Sequence, residues 1–326
     1  MSNPSTAVVA IGRNEGERLR QCLASAAREG HTVVYVDSGS TDDSVALARS
    51  LGTEVVKLDM SVKFTAARAR NAGFRRVLEL DTAVDFVQFV DGDCEIVYGW
   101  LALASRFLRD HGDVAIVTGR RRERYPTATI YNTLCDMEWA RPPGLSRYCG
   151  GDVMARAVAL RAVGGYRDDL IAGEEPELCV RLRAAGWQIY TLEADMTLHD
   201  AAMSSFRQWW LRTKRSGYAY AAGARLHGRS TERFWVRESL RAWIWGAGPP
   251  LSMLALWLLL GPVALLVLCI YPIQMIRLIS RDSGPAKERV LRGVFNTLCR
   301  FPELAGQIQF LRDAVLRRDR GLIEYK

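Results

Sequence analysis

Asp91-Gly92-Asp93 follows a run of apolar residues from Phe86 to Val90 and offers two carboxylates separated by one glycine. In extended backbone, residues two apart point the same way, so this spacing predicts two oxygen ligands for one divalent ion. The glycine lets the chain turn and lets a phosphate come close. Paired oxygens suit Mg²⁺ or Mn²⁺, which keep positions open for substrate phosphates. A surface turn is the alternative; placement behind a buried strand favours the metal. The segment VYVDSGSTDD at residues 34–43 is the second constellation. A strand ending in Asp37, a turn of small residues and a helix start together make a nucleoside pocket. There the carboxylate can accept a hydrogen bond from a base edge or a ribose hydroxyl. Ser, Gly, Thr and Asp are also plain turn formers, so an ordinary strand-to-helix loop stays open.

These residues need a scaffold, and the first 120 residues supply a recognisable one. Short β patterns lie at 7–11, 32–36, 54–58, 86–90 and 114–118, with helical patterns between them. Asn14 with Glu17, and Ser40 with Asp43, read as capping-box starts, while Gly30 and Gly52 follow the ends of the two helices. Strands spaced by helices predict a largely parallel α/β sheet covered on both faces. Ligands collect at the carboxyl ends of such strands, where Asp37, Asp91 and Asp93 fall. From 150 to 199 the pattern changes to short strands and one strong helix near 174–185. Helical stretches follow at 203–226 and 232–245, rich in Arg, Trp and Tyr.

The later third reads differently. Residues 251–276 carry no charge and exceed the roughly 20 apolar residues that span a bilayer. Pro249, Pro250, Gly261 and Pro262 border or interrupt that stretch. Arg233, Arg237 and Arg241 precede it, and Arg277, Arg281, Lys287, Arg289 and Arg292 follow. Basic residues on both flanks want both ends on the cytoplasmic side, which predicts a re-entrant hairpin bending near Gly261-Pro262 over one full crossing. Residues 290–318 mix apolar and Arg positions like a pair of interfacial amphipathic helices. The net charge of +8 is concentrated around this apolar sequence, which favours an anionic lipid surface and speaks against nucleic acid. The 7 cysteines form no CxxC pair, as expected of a reducing compartment and against a zinc module. The N-terminus lacks the basic region and cleavage site of a secretory signal. The expected organisation is a catalytic domain over 1–226 and a helical membrane-anchoring region over 227–326.

Five motifs occur in an order that resembles the family 2 glycosyltransferases: VVAIGRNEGERLRQCLAS from Val8, VDSGSTDD, ARARNAG from Ala67, DGD, and GEEPELCVRLRAAG from Gly173. The likeness covers roughly residues 7–220 and is strongest to membrane-associated bacterial members that build exopolysaccharide or lipid-linked glycans. It implies a GT-A fold, a UDP- or GDP-linked sugar donor, Mn²⁺ or Mg²⁺, and inversion at the anomeric carbon. By that resemblance Asp37 would hold the nucleotide base. Asp93, with Asp91 nearby, would reach the metal and ribose, and Arg70 and Asn71 would stand near the donor. Many relatives carry Glu-Asp where this chain has Glu174-Glu175, with the aspartate as base; here Glu175 takes that place, before Pro176. An inverting displacement does require a carboxylate to take the acceptor's proton. Glu174 and Glu177 compete for the role, and Glu175 could alternatively serve the helix dipole. His199 would be a third metal ligand, or a structural histidine. Gly150-Gly151 resemble the small-residue segment beside the acceptor, and also read as a tight turn.

Gln208-Trp209-Trp210-Leu211-Arg212 departs in order from the signature of processive members, and no processivity is expected from it. Trp209, Trp210, Arg212 and Arg215 could close over a diphosphate or grip a lipid phosphate, or form a solvated interfacial helix face. The expected enzyme transfers sugar to a membrane-resident, polyprenyl-linked acceptor at the cytoplasmic face of the inner membrane. A sugar-nucleotide nucleotidyltransferase is the alternative enzyme, although Gly12-Arg13-Asn14-Glu15-Gly16 is a poor phosphate cradle. An inactive membrane scaffold is the alternative outside enzymes, opposed by the presence of Asp37, Asp91, Asp93 and Glu175.

Overall fold

The computed structural model describes residues 4–316. The expected helical region therefore runs past the described residues from 317 onward, as does the end of the 290–318 pair. Two compact units divide the chain. One holds the residues up to Pro126 together with Cys135–Ala202; the other holds Thr127–Leu134 and the chain from Met203 onward.

The first unit is built on nine strands, counted among the described residues: β1 Thr6–Gly12, β2 Thr32–Asp37, β3 Glu54–Lys57, β4 Phe86–Asp91, β5 Cys94–Ile96, β6 Val114–Glu123, β7 Gly144–Leu145, β8 Val153–Arg156 and β9 Gln188–His199. Their order is β3-β2-β1-β4-β8-β6-β9-β5, with β7 on β9. The first four run parallel; β8 lies antiparallel between β4 and β6, and β6 runs parallel to β9. Central strands here are apolar throughout because both faces are covered. Val9, Ile11, Val34, Val36 and Phe89 join one core with Phe74 and Val77 of the helix Ala66–Leu80. Val8, Ala10, Val33 and Tyr35 join the other with Leu19 and Leu23 of Glu17–Ala27 and Trp100 and Leu101 of Trp100–Asp110. Gly73 lets the helix Ala66–Leu80 lie on the sheet, since a Cβ there would collide with Val9. That close seat aims Arg70, on the same helix, at the strand ends.

The five expected strands form, and β6 continues beyond 118 to Glu123. Neither capping box does. The helix Glu17–Ala27 starts after Gly16 with no side-chain cap. Asn14, at a left-handed φ of 56°, instead uses its Oδ1 to accept from the backbone N–H groups of Thr41 and Asp42 at 2.7 and 3.4 Å. Ser40 in turn accepts from the Asn14 N–H at 3.0 Å, so both expected caps lace two loops together at the sheet's carboxyl edge. A local motif lost to a longer-range partner because the loops lie side by side.

The second unit is helical. Ser205 and Gln208 form a true capping box at the start of Phe206–His227. Gly217 and Gly306 sit where a Cβ would strike the backbone of the facing helix, so Phe206–His227 and Arg300–Val315 pack backbone to backbone. Arg300–Val315 consequently buries Glu303, Gln307 and Asp313, which differs from the interfacial amphipathic pattern expected of it. Between these helices, Val236–Arg281 is apolar and long enough to cross a membrane by length and composition. Its path reverses. Helix Gly248–Leu260 ends at Gly261, whose φ is 55°, a 3-10 stretch Gly261–Cys269 follows, and then helix Ile270–Arg281. Tyr271 donates its hydroxyl hydrogen to the carbonyl of Trp245 at 2.7 Å. An unbroken helix would hold those two residues about 40 Å apart. The chain bends back on itself at Gly261-Pro262, the place where the sequence is interrupted.

Candidate active site

The carboxyl ends of β1, β2 and β4 lie in register: Gly12 pairs with Asp37 and Ile11 with Asp91. Asp37 is buried and its carboxylate accepts from the backbone N–H groups of Gly39 and Ser40, each at 3.2 Å to Oδ2. The Tyr35 hydroxyl adds a third contact at 3.3 Å. Asp37 thus shapes the turn that follows it.

Arg70 is the hub of the neighbouring acidic group. Its Nη2 reaches Asp91 Oδ1 at 2.9 Å, and its Nη1 reaches Glu174 at 3.1 Å and Glu175 at 3.0 Å. Burial works against the guanidinium's charge, but Glu175, Asp91 and Glu174 outweigh it and raise its pKa above the usual value. Gly151 sits against this hub: a Cβ would fall 2.6 Å from Arg70 Nη2 and 2.9 Å from Asp91 Oδ2. Gly150 has open space around it. Asn71, expected near the donor, is spent elsewhere. Its amide donates to the Tyr166 carbonyl at 2.8 Å and to Asp168 at 2.7 Å, and accepts from the Tyr166 N–H at 2.9 Å. It holds the turn before the Glu175 helix.

Asp91 and Asp93 do not share one direction. The chain leaves β4 at Asp91 and turns at Gly92-Asp93 before β5, so the alternation of an extended strand is broken between them. Asp91 faces Arg70 and, through Oδ2, Arg121 at 3.2 Å. Although burial raises its pKa, those two guanidiniums prevail and hold the carboxyl well below its usual range. Asp93 faces His199, with Oδ2 to Nε2 at 3.3 Å. Asp93, Cys94 and His199, all buried, bring their ligand atoms within 4.8 Å of one another, a candidate ion position among the described residues. Burial depresses the His199 pKa, so the imidazole is neutral and can ligate. Burial, with Asp152, pushes the Cys94 thiol upward and keeps it protonated. The remaining carboxylate–imidazole pair suits Mn²⁺ better than Mg²⁺, which prefers oxygen alone.

The three glutamates at the start of helix Glu174–Ala184 now separate. Glu177 is buried and held by Arg181 at 2.8 Å. Glu174 faces Arg70, with 4% of its side chain exposed, whereas Glu175 keeps 14%. Burial and the neighbouring Glu174 push Glu175 up to about 7, against the pull of Arg70. Pro176 fits at the third helical position because the first-turn N–H groups have no intrahelical acceptor.

Sequence reading missed Arg121, Asp152 and Glu123. Asp152 is buried; it accepts from the Asp91 N–H at 3.0 Å and the Thr197 hydroxyl at 2.7 Å, and pairs with Arg121 at 2.8 Å. Arg121 and Glu123 stand two apart on β6, and the less exposed side chain within Arg120-Arg121-Arg122 is Arg121. Register shifts between Thr118 and Arg121 break the period-two alternation of β6, so a count by twos from Thr118 passes over both. Trp209, Trp210, Arg212 and Arg215 belong to the second unit. There Trp209 is buried, its ring 4.9 Å from Phe295 and 5.2 Å from Phe206, and Trp210 packs on Phe206 at 5.9 Å. The two tryptophans serve packing of that unit.

Known proteins share parts of this sequence and its fold. Residues 7–150 match the profile of Glycosyl transferase family 2. The pre-mycofactocin glycosyltransferase of Mycobacterium tuberculosis is 28% identical over 262 residues, covering 74% of this chain and 53% of the relative. The chain thus spans about half the length of the curated relatives it matches. Among solved structures, mannosyltransferase PcManGT from Pyrobaculum calidifontis, in complex with GDP-Man and Mn²⁺, superposes with a TM-score of 0.61 at 18% identity, covering 96% of this chain and 88% of that one. Glucosyl-3-phosphoglycerate synthase from Mycobacterium tuberculosis, in complex with Mn²⁺, UDP and glucosyl-3-phosphoglycerate, gives 0.50 at 17% identity, covering 69% and 80%. The strand order and the superposition give the chain the GT-A fold, and its residues 7–150 carry the match to glycosyl transferase family 2.

Proposed function

We propose that the protein transfers a sugar from a UDP- or GDP-linked donor to a membrane-resident acceptor, with Mn²⁺ and with inversion at the anomeric carbon. The observation that carries this reading is the convergence on one sheet edge of a metal-type pair, Asp93 and His199, and a carboxylate poised near neutral pH, Glu175, joined through Arg70 to Asp91. In the reaction, the acceptor hydroxyl attacks the anomeric carbon as the nucleoside diphosphate departs. Glu175 takes the hydroxyl proton. A base whose pKa lies near the working pH suits that task, and such proton transfer typically contributes about 10²–10⁴-fold. Asp37 and the turn it shapes would seat the nucleoside, and Asp93 and His199 would hold the ion. When bound, the ion offsets charge growing on the diphosphate. Arg70 keeps three carboxylates in place at once. Gly150-Gly151 leave room on the acceptor side.

The membrane part of the reading rests on the hairpin. Helix Gly248–Leu260 is about 20 Å long and the 3-10 stretch about 18 Å, each short of the roughly 30 Å hydrocarbon core. Such a hairpin would enter one leaflet and return, leaving its basic flanks at the cytoplasmic face of the inner membrane. Enzyme and a polyprenyl-linked acceptor would then share a surface, as in exopolysaccharide or lipid-linked glycan assembly. Screening UDP- and GDP-sugars for Mn²⁺-dependent donor hydrolysis by the detergent-purified protein tests the core of the proposal. Hydrolysis of one donor class that vanishes with EDTA supports it; no metal-dependent turnover of any donor refutes it.

A further inference from the structure

Glu123 lies in β6 directly opposite His199 of β9 in the strand register. Its side chain is fully buried, and both oxygens are fixed by backbone: Oε1 accepts from the Tyr125 N–H at 3.1 Å and Oε2 from the Ala201 N–H at 3.0 Å. The same Oε2 stands 3.6 Å from His199 Nδ1. That nitrogen is buried and makes no hydrogen bond within normal reach, and the Glu123 carboxylate stands just beyond that reach. Trp139 packs on the imidazole in a T-shaped contact, ring centroids 4.7 Å apart, which restrains its plane. On the opposite edge, Nε2 faces Asp93 Oδ2.

A neutral imidazole carries one N–H, and two carboxylates compete for it. If the proton sat on Nε2, His199 would donate to Asp93 and could not ligate an ion beside it. If it sits on Nδ1, Glu123 receives it and the Nε2 lone pair is left facing the ion position. We infer that Glu123 is a positioning residue that selects the Nδ1–H tautomer of His199 and so prepares Nε2 as a metal ligand. This inference rests on the metal-dependent reading of the site. Carboxylates that orient a ligating histidine typically change metal affinity about 10–100-fold when lost.

Two measurements test it. Long-range ¹H–¹⁵N correlation on the wild-type protein, with the His199 signals assigned by their loss in His199→Asn and only 4 histidines to resolve, should show His199 protonated at Nδ1 and bare at Nε2. An Nε2–H tautomer would overturn the inference. Separately, Mn²⁺ affinity is read by electron paramagnetic resonance with UDP or GDP present. Glu123→Gln keeps the size of the side chain but has one acceptor oxygen for Tyr125, Ala201 and His199. Its Kd for Mn²⁺ should rise about 10–100-fold, and Glu123→Gln should add nothing in a His199→Asn background. Unchanged affinity in Glu123→Gln, or an equal loss in both backgrounds, would refute a role through His199. Failure of the wild type to bind Mn²⁺ would instead remove the metal reading itself, and the tautomer measurement still reports on Glu123 if Glu123→Gln does not fold.

Discussion

The acidic edge of the sheet and the apolar hairpin of the second unit invert the usual distribution of residues in opposite ways. At the sheet edge, charged groups go inside: Arg70, Asp93, Asp152, Glu174 and His199 are buried, each beside a partner of complementary chemistry. In the hairpin, apolar groups go outside, with Leu258 and Leu259 87% and 81% exposed. Buried charges are costly unless paired, and exposed leucines lose about 1.5–3 kcal/mol each of the stabilisation that burial would give. Neither pattern serves the stability of a water-soluble fold. Under the proposed function each pattern has a purpose: the first would meet phosphates and an ion, the second lipid.

Breaking the first pattern should have the largest effect. Arg70→Met strands Asp91, Glu174 and Glu175 without their shared cation, and should destabilise the protein by about 3–5 kcal/mol, read by chemical denaturation. A loss under 1 kcal/mol would mean that the cluster is more solvated than its burial indicates. Asp93→Asn should separate binding from folding. It should weaken Mn²⁺ binding by at least about tenfold, as loss of a direct ligand should exceed the lower range for outer residues, while the melting temperature stays close to wild type.

A smaller, graded effect comes from pH. A base at Glu175 would act only when ionised, and the pKa of that carboxyl is raised to about 7. Activity should therefore fall as pH drops below about 7, roughly tenfold per unit at saturating Mn²⁺, and level off above. An acid limb near pH 4 would assign the base elsewhere. The smallest effect on stability should come from the hairpin. Leu258→Asp with Leu259→Asp should change unfolding free energy by no more than about 0.5 kcal/mol per site, because both side chains are exposed, yet abolish cosedimentation with anionic vesicles. Retained vesicle binding would break the contrast between the two regions.

What the sequence disclosed followed the range of the interactions. Continuous apolar runs such as Val8–Ile11 and Val34–Val36 announced covered parallel strands, because that pattern needs only neighbouring residues. The hairpin was legible for the same reason: Gly261-Pro262 interrupts an apolar run from within. Asp152, Arg121 and Glu123 were not, since they meet Asp91 and His199 only through the pairing of β4, β8, β6 and β9, which no local spacing encodes. Asp91-Gly92-Asp93 misled in its geometry because the turn that glycine permits also separates the two carboxylates. Asn14 and Ser40 looked like helix caps, and their side chains found partners across the loop instead.

Sugar transfer by the proposed route depends most directly on Glu175. Glu175→Gln removes the proton acceptor while leaving Asp93 and His199 to hold the ion and Asp37 to seat the nucleoside. The measurement is sugar transfer against donor binding for this variant, at saturating Mn²⁺. Transfer should fall by about 10²–10⁴-fold with donor affinity retained. Transfer at the wild-type rate would contradict the account, because the acceptor's proton would then leave by another route.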